Sequence, residues 1–320
     1  MQLRQLGRSG LKIAPLMLGG NTFGWTTDEA ASFAVLDAYV EGGGNAIDTA
    51  DSYSRWVPGN RGGESEAIIG KWLRARGNRH DVVVATKVAS RMGDRPHEAG
   101  LSRRWIMQEV EASLGRLQSD YIDLYQAHQD DRETPLEETL RAFDDLVRQG
   151  KVRYVGASNH AAYRLTRTLW ESDRRGFVRY ESVQPKYNLV DRADYERELE
   201  PLCREDGVGV ITYSSLGSGF FSGKYRSGQA LPASPRAGGV ERQYFNERGW
   251  RILAAVDAVA KEHGATTAQV ALAWIVHRPG ITAPIASATS PEQARELLGA
   301  VELQLDDEAT KQLDEASAWR

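Results

Sequence analysis

Short apolar runs alternate with longer amphipathic stretches along nearly the whole chain. The runs fall at residues 16–18, 46–48, 82–87, 122–126, 152–158, 182–185, 209–213 and 282–285. Each has the length and branched character of a strand buried on both faces. Between them, apolar residues recur at three- and four-residue spacing over 28–42, 64–76, 102–118, 135–149, 161–172, 194–206, 250–263 and 291–300, which predicts helices. A last amphipathic stretch runs from Asp306 to Ala318. Eight strand–helix units in strict alternation predict an α/β fold, a parallel sheet closed as a (β/α)8 or TIM barrel. Ahead of the first unit, residues 3–13 read as a short β-hairpin around a Gly/Ser turn.

The rhythm shows no break, so residues 1–320 are expected to form a single domain, although at about 150 residues per domain the length allows two. One connection stands out, from Ser214 to about Gly249, rich in Gly, Ser and Pro. Connections of that length serve as functional lids or are disordered. The competing doubly wound fold needs a G-x-G-x-x-G turn after its first strand. The nearest stretch, Gly217 to Gly223, has the wrong spacing and lies far from it.

Composition narrows the function. With 40 basic against 44 acidic residues, the chain lacks the positive field that nucleic-acid binding requires. No apolar run approaches the roughly 20 residues of a membrane span, and the start has no signal-peptide core. The single cysteine, Cys203, excludes an internal disulfide and leads us to expect a reducing, cytoplasmic setting. The six histidines are scattered with no H-x-H pair, so no metal is expected. Arginine outnumbers lysine 32 to 8, which draws attention to each lysine.

In a βα barrel, chemistry belongs at the carboxyl ends of the strands. Those ends carry Asp48, Lys87 and His128, with Tyr53 five residues beyond Asp48. Asp48 could cap a turn, Tyr53 could be an ordinary loop aromatic, and His128 a structural histidine. Lys87 is harder to dismiss, because a lysine ending an interior strand needs a carboxylate or a task. Together the four suit protonation of an alkoxide. A lysine cation is expected to lower the tyrosine pKa from its usual value near 10, Asp48 to hold the lysine, and the histidine to polarise a carbonyl.

Three stretches carry a family resemblance: Gly44 to Tyr53, Tyr121 to His128, and Gly150 to Asn159. In order and spacing they resemble the signatures of the aldo-keto reductases, from the hairpin to about Val301. The resemblance implies that Asp48, Tyr53, Lys87 and His128 form a catalytic tetrad. It implies that Ser158, Asn159 and Gln184 hold a nicotinamide carboxamide and that Tyr213 stacks on the ring. Ser214, Leu216, Ser218 and Lys224 fall on the pyrophosphate strap, and Ser287, Thr289, Gln293 and Glu296 on the adenosine-phosphate positions. Many relatives have a Lys or Arg near Ala286 or Glu292 and an asparagine at Leu297; here Arg295 is the closest cation. NADP(H) is therefore the expected cofactor, with NAD(H) possible. Phe23, Trp25 and Trp56, with Phe220, Phe221, Tyr244 and Phe245, are candidates for an aromatic substrate pocket or for core and lid packing.

The implied function is reduction of a small-molecule aldehyde or ketone, with hydride from the nicotinamide and a proton from Tyr53. The alternative is an NADPH-binding regulatory module with weak turnover, as in the potassium-channel β subunits that resemble this family. No segment resembling their added N-terminal extension is expected here. A Schiff-base role for Lys87, as in a barrel aldolase, competes poorly with the Asp48 pairing. The carbonyl substrate and the oligomeric state are not legible in the sequence.

Overall fold

The computed structural model describes residues 1–319. Two antiparallel strands, β1 (Arg4–Gln5) and β2 (Lys12–Ile13), form the hairpin. Eight parallel strands follow and close into a barrel. They are β3 (Met17–Gly19), β4 (Ala46–Asp48), β5 (Val83–Val88), β6 (Ile122–Ala127), β7 (Val152–Ser158), β8 (Tyr180–Gln184), β9 (Gly209–Thr212) and β10 (Ala283–Ala286). β10 pairs with β3 through Ile285–Met17 and Ala286–Leu18, which shuts the ring.

The strands are buried on both faces, so their residues alternate between two cores. Met17, Ala46, Val83, Ala85, Leu124, Ile211, Ala283 and Ile285 fill the barrel, and Leu6 and Ile13 of the hairpin join them. Their neighbours, such as Leu18, Ile47, Val84, Tyr125 and Val155, face the helices in a second, larger core.

The helices are α1 (Glu29–Glu41), α2 (Glu64–Arg76), α3 (Arg103–Leu117), α4 (Leu136–Arg148), α5 (Ala162–Arg175), α6 (Glu200–Asp206), α7 (Ala237–Tyr244), α8 (Glu247–Glu262), α9 (Thr267–Val276), α10 (Pro291–Gly299) and α11 (Asp307–Ala316). Several begin where a short polar side chain caps them: Asp28, Ser102, Asn246, Ser290 and Asp306 each accept a first-turn backbone N–H. Thr266 and Gln269 make a reciprocal capping box at α9.

Two expectations need correction. The stretch 250–263, read as the helix between the last two strands, is α8, which packs on α9 and α11; α9 is the helix that lies against β10. All of α9 except Gln269 is buried, so it has no polar face and no amphipathic period to betray it. The long connection from Ser214 is also not structureless. It contains a helical turn at Gly217–Gly219 and the helix α7. Phe220, Phe221 and Tyr244 are fully buried there, giving it a small core of its own.

Candidate active site

The strand ends bring the four sequence-predicted reactive residues together at one mouth of the barrel. β4 pairs with β5 in register Asp48–Ala85, which places Lys87 just above Asp48 on the same inner face. Lys87 Nζ lies 2.6 Å from Asp48 Oδ2, and the two side chains are 0% and 2% exposed. The ammonium also donates to Thr49 O at 2.8 Å and to the Tyr53 hydroxyl at 3.0 Å. Tyr53 in turn donates to Asp48 Oδ2 at 3.3 Å. Burial pushes the Lys87 ammonium down, but Asp48 and Tyr53 outweigh it and hold the pKa above its usual value.

Tyr53 departs from the sequence expectation. Burial pushes the phenol up to about 12, and Asp48 adds to that, while Lys87 opposes without reversing it. The lysine acts in the expected direction, but the desolvated setting is the larger effect. The His128 ring centre is 6.0 Å from that of Tyr53. Burial, and then Lys87, push the imidazole down to about 3, so it is neutral at physiological pH. Its Nδ1 lies 3.1 Å from Ser90 Oγ, a contact in which the hydroxyl donates when the ring proton is on Nε2 and accepts when it is on Nδ1.

Next to this cluster, Ser158 and Gln184 sit side by side through the β7–β8 pairing. Ser158 Oγ donates to the Gln184 carbonyl at 2.9 Å, and Gln184 Nε2 donates to Asp48 Oδ1 at 2.8 Å. Asn159 is held in the left-handed region at φ 55° and donates to His128 O at 2.9 Å. The Tyr213 hydroxyl donates to Asn159 Oδ1 at 2.8 Å. Of the six described non-glycine residues with positive φ, five lie at this end: Ser54, Ala89, Asn159, Ser214 and Ser218. Such strain persists where surrounding structure imposes it, typically at functional sites.

A family model described as the aldo/keto reductase family matches residues 15–318. An uncharacterized oxidoreductase, YrpG of Bacillus subtilis, is 39% identical over 98% of this chain and 95% of its own. Protein tas of Escherichia coli is 33% identical over 98% and 97%. A probable voltage-gated potassium channel subunit beta of Arabidopsis thaliana is 34% identical over 95% and 92%.

The chain belongs to the aldo/keto reductase family. It is an oxidoreductase of that family, which generally uses a nicotinamide dinucleotide.

The residues beside Asp48, Tyr53, Lys87 and His128 have a chemistry that fits such a dinucleotide. After β9 the backbone turns through the left-handed region at Ser214, Gly217, Ser218 and Gly219, a run of small residues in which the Gly217 and Gly219 N–H groups bond within the turn, to Ser214 O and Leu216 O. Leu216 shapes the turn through its carbonyl, which accepts from Gly219 and Phe221 N–H. Two cations overlook it. Lys224 is pushed below its usual pKa by burial and then by Arg236, and Arg236 is pushed down by burial. Among the described residues neither forms an ion pair with a carboxylate, so an anion between them would be welcome.

At the other end of the groove, α10 begins at Pro291 as expected, with Ser290 as its cap. Thr289 N and Oγ1 both donate to Gln293 Oε1 at 2.9 Å. Ser287 Oγ donates to Asn21 Oδ1 at 2.7 Å, and the Glu296 carbonyl accepts from Gln269. The exposed Glu292 carboxyl is held below its usual pKa by its own backbone N–H and the Ser290 hydroxyl.

The aromatic candidates divide. Trp25 and Trp56 meet edge to face at 5.4 Å, and Trp56, 51% exposed, also meets Tyr53 at 6.1 Å. Phe23, in contrast, is fully buried in the outer core, so it packs under the loop rather than walling a pocket. Ser54 Oγ donates to its carbonyl.

Sequence reasoning missed three residues here. Gln126 is fully buried two positions before His128 and donates to Asp48 Oδ1 at 3.4 Å; a polar residue in an inward register of β6 was the available signal. Arg236 reaches from the α7 end to Asn21 Oδ1 at 3.3 Å and covers the Trp25 ring at 5.0 Å. Nothing in its sequence surroundings pointed to the groove. Asn21 joins both ends of the groove by accepting from Arg236 and Ser287.

Proposed function

We propose that the protein reduces an aldehyde or ketone to the alcohol, with NADP(H) as cofactor, NAD(H) being the alternative, and Tyr53 as proton donor. The observation that carries this reading is the Tyr53 hydroxyl 3.0 Å from a lysine ammonium that is itself paired, fully buried, with Asp48. A reduced nicotinamide, when bound, supplies the hydride. Ser158, Asn159 and Gln184 offer the donors and acceptors a carboxamide needs, and Tyr213 offers a ring face. Ser214, Leu216, Ser218 and Lys224 would hold the pyrophosphate, joined by Arg236. Ser287, Thr289, Gln293 and Glu296 would hold the adenosine phosphate.

With a pKa pushed up to about 12, Tyr53 is fully protonated at neutral pH and available as a donor. As the carbonyl oxygen gains charge it becomes a stronger base than phenolate, and the proton passes to it from the Tyr53 hydroxyl oxygen. Lys87 stabilises the phenolate left behind, and Asp48 keeps Lys87 charged and oriented. Neutral His128 donates from Nε2 to the same carbonyl oxygen and so polarises it. Trp25 and Trp56 form an apolar wall beside the reacting group, suited to a small organic carbonyl compound. The Cys203 thiol, buried and pushed up to about 12, is inert, as suits a cytoplasmic setting.

Tyr53→Phe tests the assignment. Steady-state reduction, followed by dinucleotide oxidation, should fall about a thousandfold. Dinucleotide binding, followed by fluorescence, should persist; a fully active Tyr53→Phe protein would sink the proposal. The similarity to a channel subunit beta supports a second reading, a dinucleotide-binding regulatory module. Tight NADPH binding without turnover across aldehydes, dicarbonyls and sugars would favour it.

A further inference from the structure

Behind the tetrad, on the outer face of the same strands, lies a second cluster of ionisable groups. Side chains alternate across a strand. Lys87 and Gln126 therefore face the barrel mouth, while their neighbours Thr86 and Tyr125 face α2 and α3. The Asp48–Tyr53 segment divides in the same way, with Asp51 directed to the helix side. Asp51 and Glu66 are both 0% exposed, and Glu109 is buried. One cation, Arg116, lies among the three. Arg116 Nε donates to Glu66 Oε2 at 2.6 Å, and its Nη2 donates to Glu109 Oε1 at 2.5 Å and Ser113 Oγ at 3.1 Å. Glu66 spends its other oxygen on the Thr86 hydroxyl at 2.5 Å.

The guanidinium is thus committed to two carboxylates, and among the described residues no side chain bonds either Asp51 oxygen, the Ser52 N–H being the backbone donor that acts on the carboxyl. The fully buried Tyr125 hydroxyl, which feels Asp51 electrostatically before any other group in the cluster, also has no hydrogen-bond partner among the described residues. Three ionised carboxylates against one guanidinium would leave two uncompensated negative charges in a dry interior, an arrangement proteins avoid by protonation. Burial, then Glu66 and Glu109, hold the Asp51 carboxyl well above its usual range, against Arg116 and the Ser52 N–H. The backbone N–H of Asp51 donates to Lys87 O at 3.3 Å, so this residue ties the Tyr53 turn to the strand that carries Lys87.

We propose that Asp51 is a positioning residue that remains an uncharged carboxylic acid in the folded protein, filling the space behind the Asp48–Lys87 pair and keeping the Tyr53 turn in place without adding an anion. The groups facing it are Glu66 from α2, Glu109 and Arg116 from α3, and Tyr125 from β6, with Thr86 of β5 engaged by Glu66. An ionised Asp51 would add an uncompensated negative charge behind Tyr53 and make the phenol a poorer donor.

The stability consequence has a definite sign. The folded state binds the Asp51 proton more tightly than the unfolded chain, whose aspartates titrate near pH 3.9. Stability from this group is therefore fully present below about pH 4 and is lost as pH rises towards the folded pKa. Asp51→Asn removes that loss. Its melting temperature should gain on the native protein between pH 4 and pH 8 by on the order of 5 °C. Infrared difference spectroscopy of the native protein at pH 7 should show the carbonyl stretch of a buried protonated carboxyl, absent in Asp51→Asn and retained in Glu109→Gln. In turnover, Asp51→Ala should lower kcat about tenfold with little change in the dinucleotide KM, and Asp51→Asn should recover most of the loss.

The kinetic readout rests on the reductase reading, whereas melting and infrared readouts do not, so the two failures are distinguishable. No protonated-carboxyl band at pH 7 in the native protein overturns the proposal even if no variant folds. An Asp51→Asn protein that is less stable at pH 8 than the native one overturns it as well.

Discussion

A buried ion pair is weak evidence for stability and strong evidence for dependence of one partner on the other. Lys87 and Asp48 show why this matters. Each is enclosed, and each uses its remaining hydrogen-bonding capacity on the site: Thr49 O and Tyr53 for the lysine, Gln184 and Gln126 for the carboxylate. Lys87→Met should therefore destabilise the fold by about 3–5 kcal/mol, because it leaves a buried carboxylate without its cation. Urea unfolding checks this, and adding Asp48→Asn to Lys87→Met should return a substantial part of the loss. Of the residues in this site, Asp48, Tyr53, Lys87 and His128 were legible in the sequence because strand ends can be located from periodicity. The state of Tyr53 was not. Its raised pKa comes from enclosure by residues distant in sequence, and no local pattern encodes enclosure.

At the scale of elements, one buried side chain braces the loop after β9. Asn188, fully buried, donates from Nδ2 to Ser214 O at 3.0 Å and to Asp191 Oδ2 at 2.9 Å. Its Oδ1 accepts the backbone N–H groups of Val190 and Asp191. Ser214 has φ 56°, a conformation costly for serine, so the turn relies on such contacts. Asn188→Ala should weaken dinucleotide binding about tenfold, the equivalent of one hydrogen bond to a strained segment. Fluorescence titration measures it, and unchanged affinity would show that the loop is held by other means. The Ser214–Gly249 connection was visible in the sequence as long and rich in small residues. Its helix α7 and aromatic core were not, since Phe220, Phe221 and Tyr244 find one another only across the folded loop. α9 was missed for the opposite reason, a uniformly apolar surface in which no face stands out.

For the molecule as a whole, closure joins the two ends of the chain. Arg4 in the hairpin donates from Nη1 to the carbonyls of Val276, Ile281 and Thr282, at 2.8, 3.3 and 3.3 Å. These contacts bind the hairpin to the segment between α9 and the last strand, β10. Burial lowers the Arg4 pKa, which shows how far the guanidinium has left water. Arg4→Ala should cost about 1.5–3 kcal/mol, in the range for hydrogen bonds from a charged donor. Denaturant unfolding should show a lower midpoint with an unchanged slope, since the barrel itself remains. A midpoint that does not move would mean that the hairpin adds no stability to the barrel.

The sequence by itself determined the eight-unit rhythm, the strand ends and the order of the reactive residues along them. Periodicity and end position are local properties, carried by each segment whatever it later touches. Only the tertiary structure decided which helix covers β10, that Phe23 belongs to the core, and that Arg236 and Asn21 meet over the groove. Those outcomes depend on contacts between residues far apart in the sequence, 215 positions for Arg236 and Asn21. The same is true of the charges. Asp48 and Asp51 are both aspartates on one short segment, and the side of the strand layer each enters gives Asp48 a buried cation of its own and sets Asp51 beside an arginine already bonded to two other carboxylates.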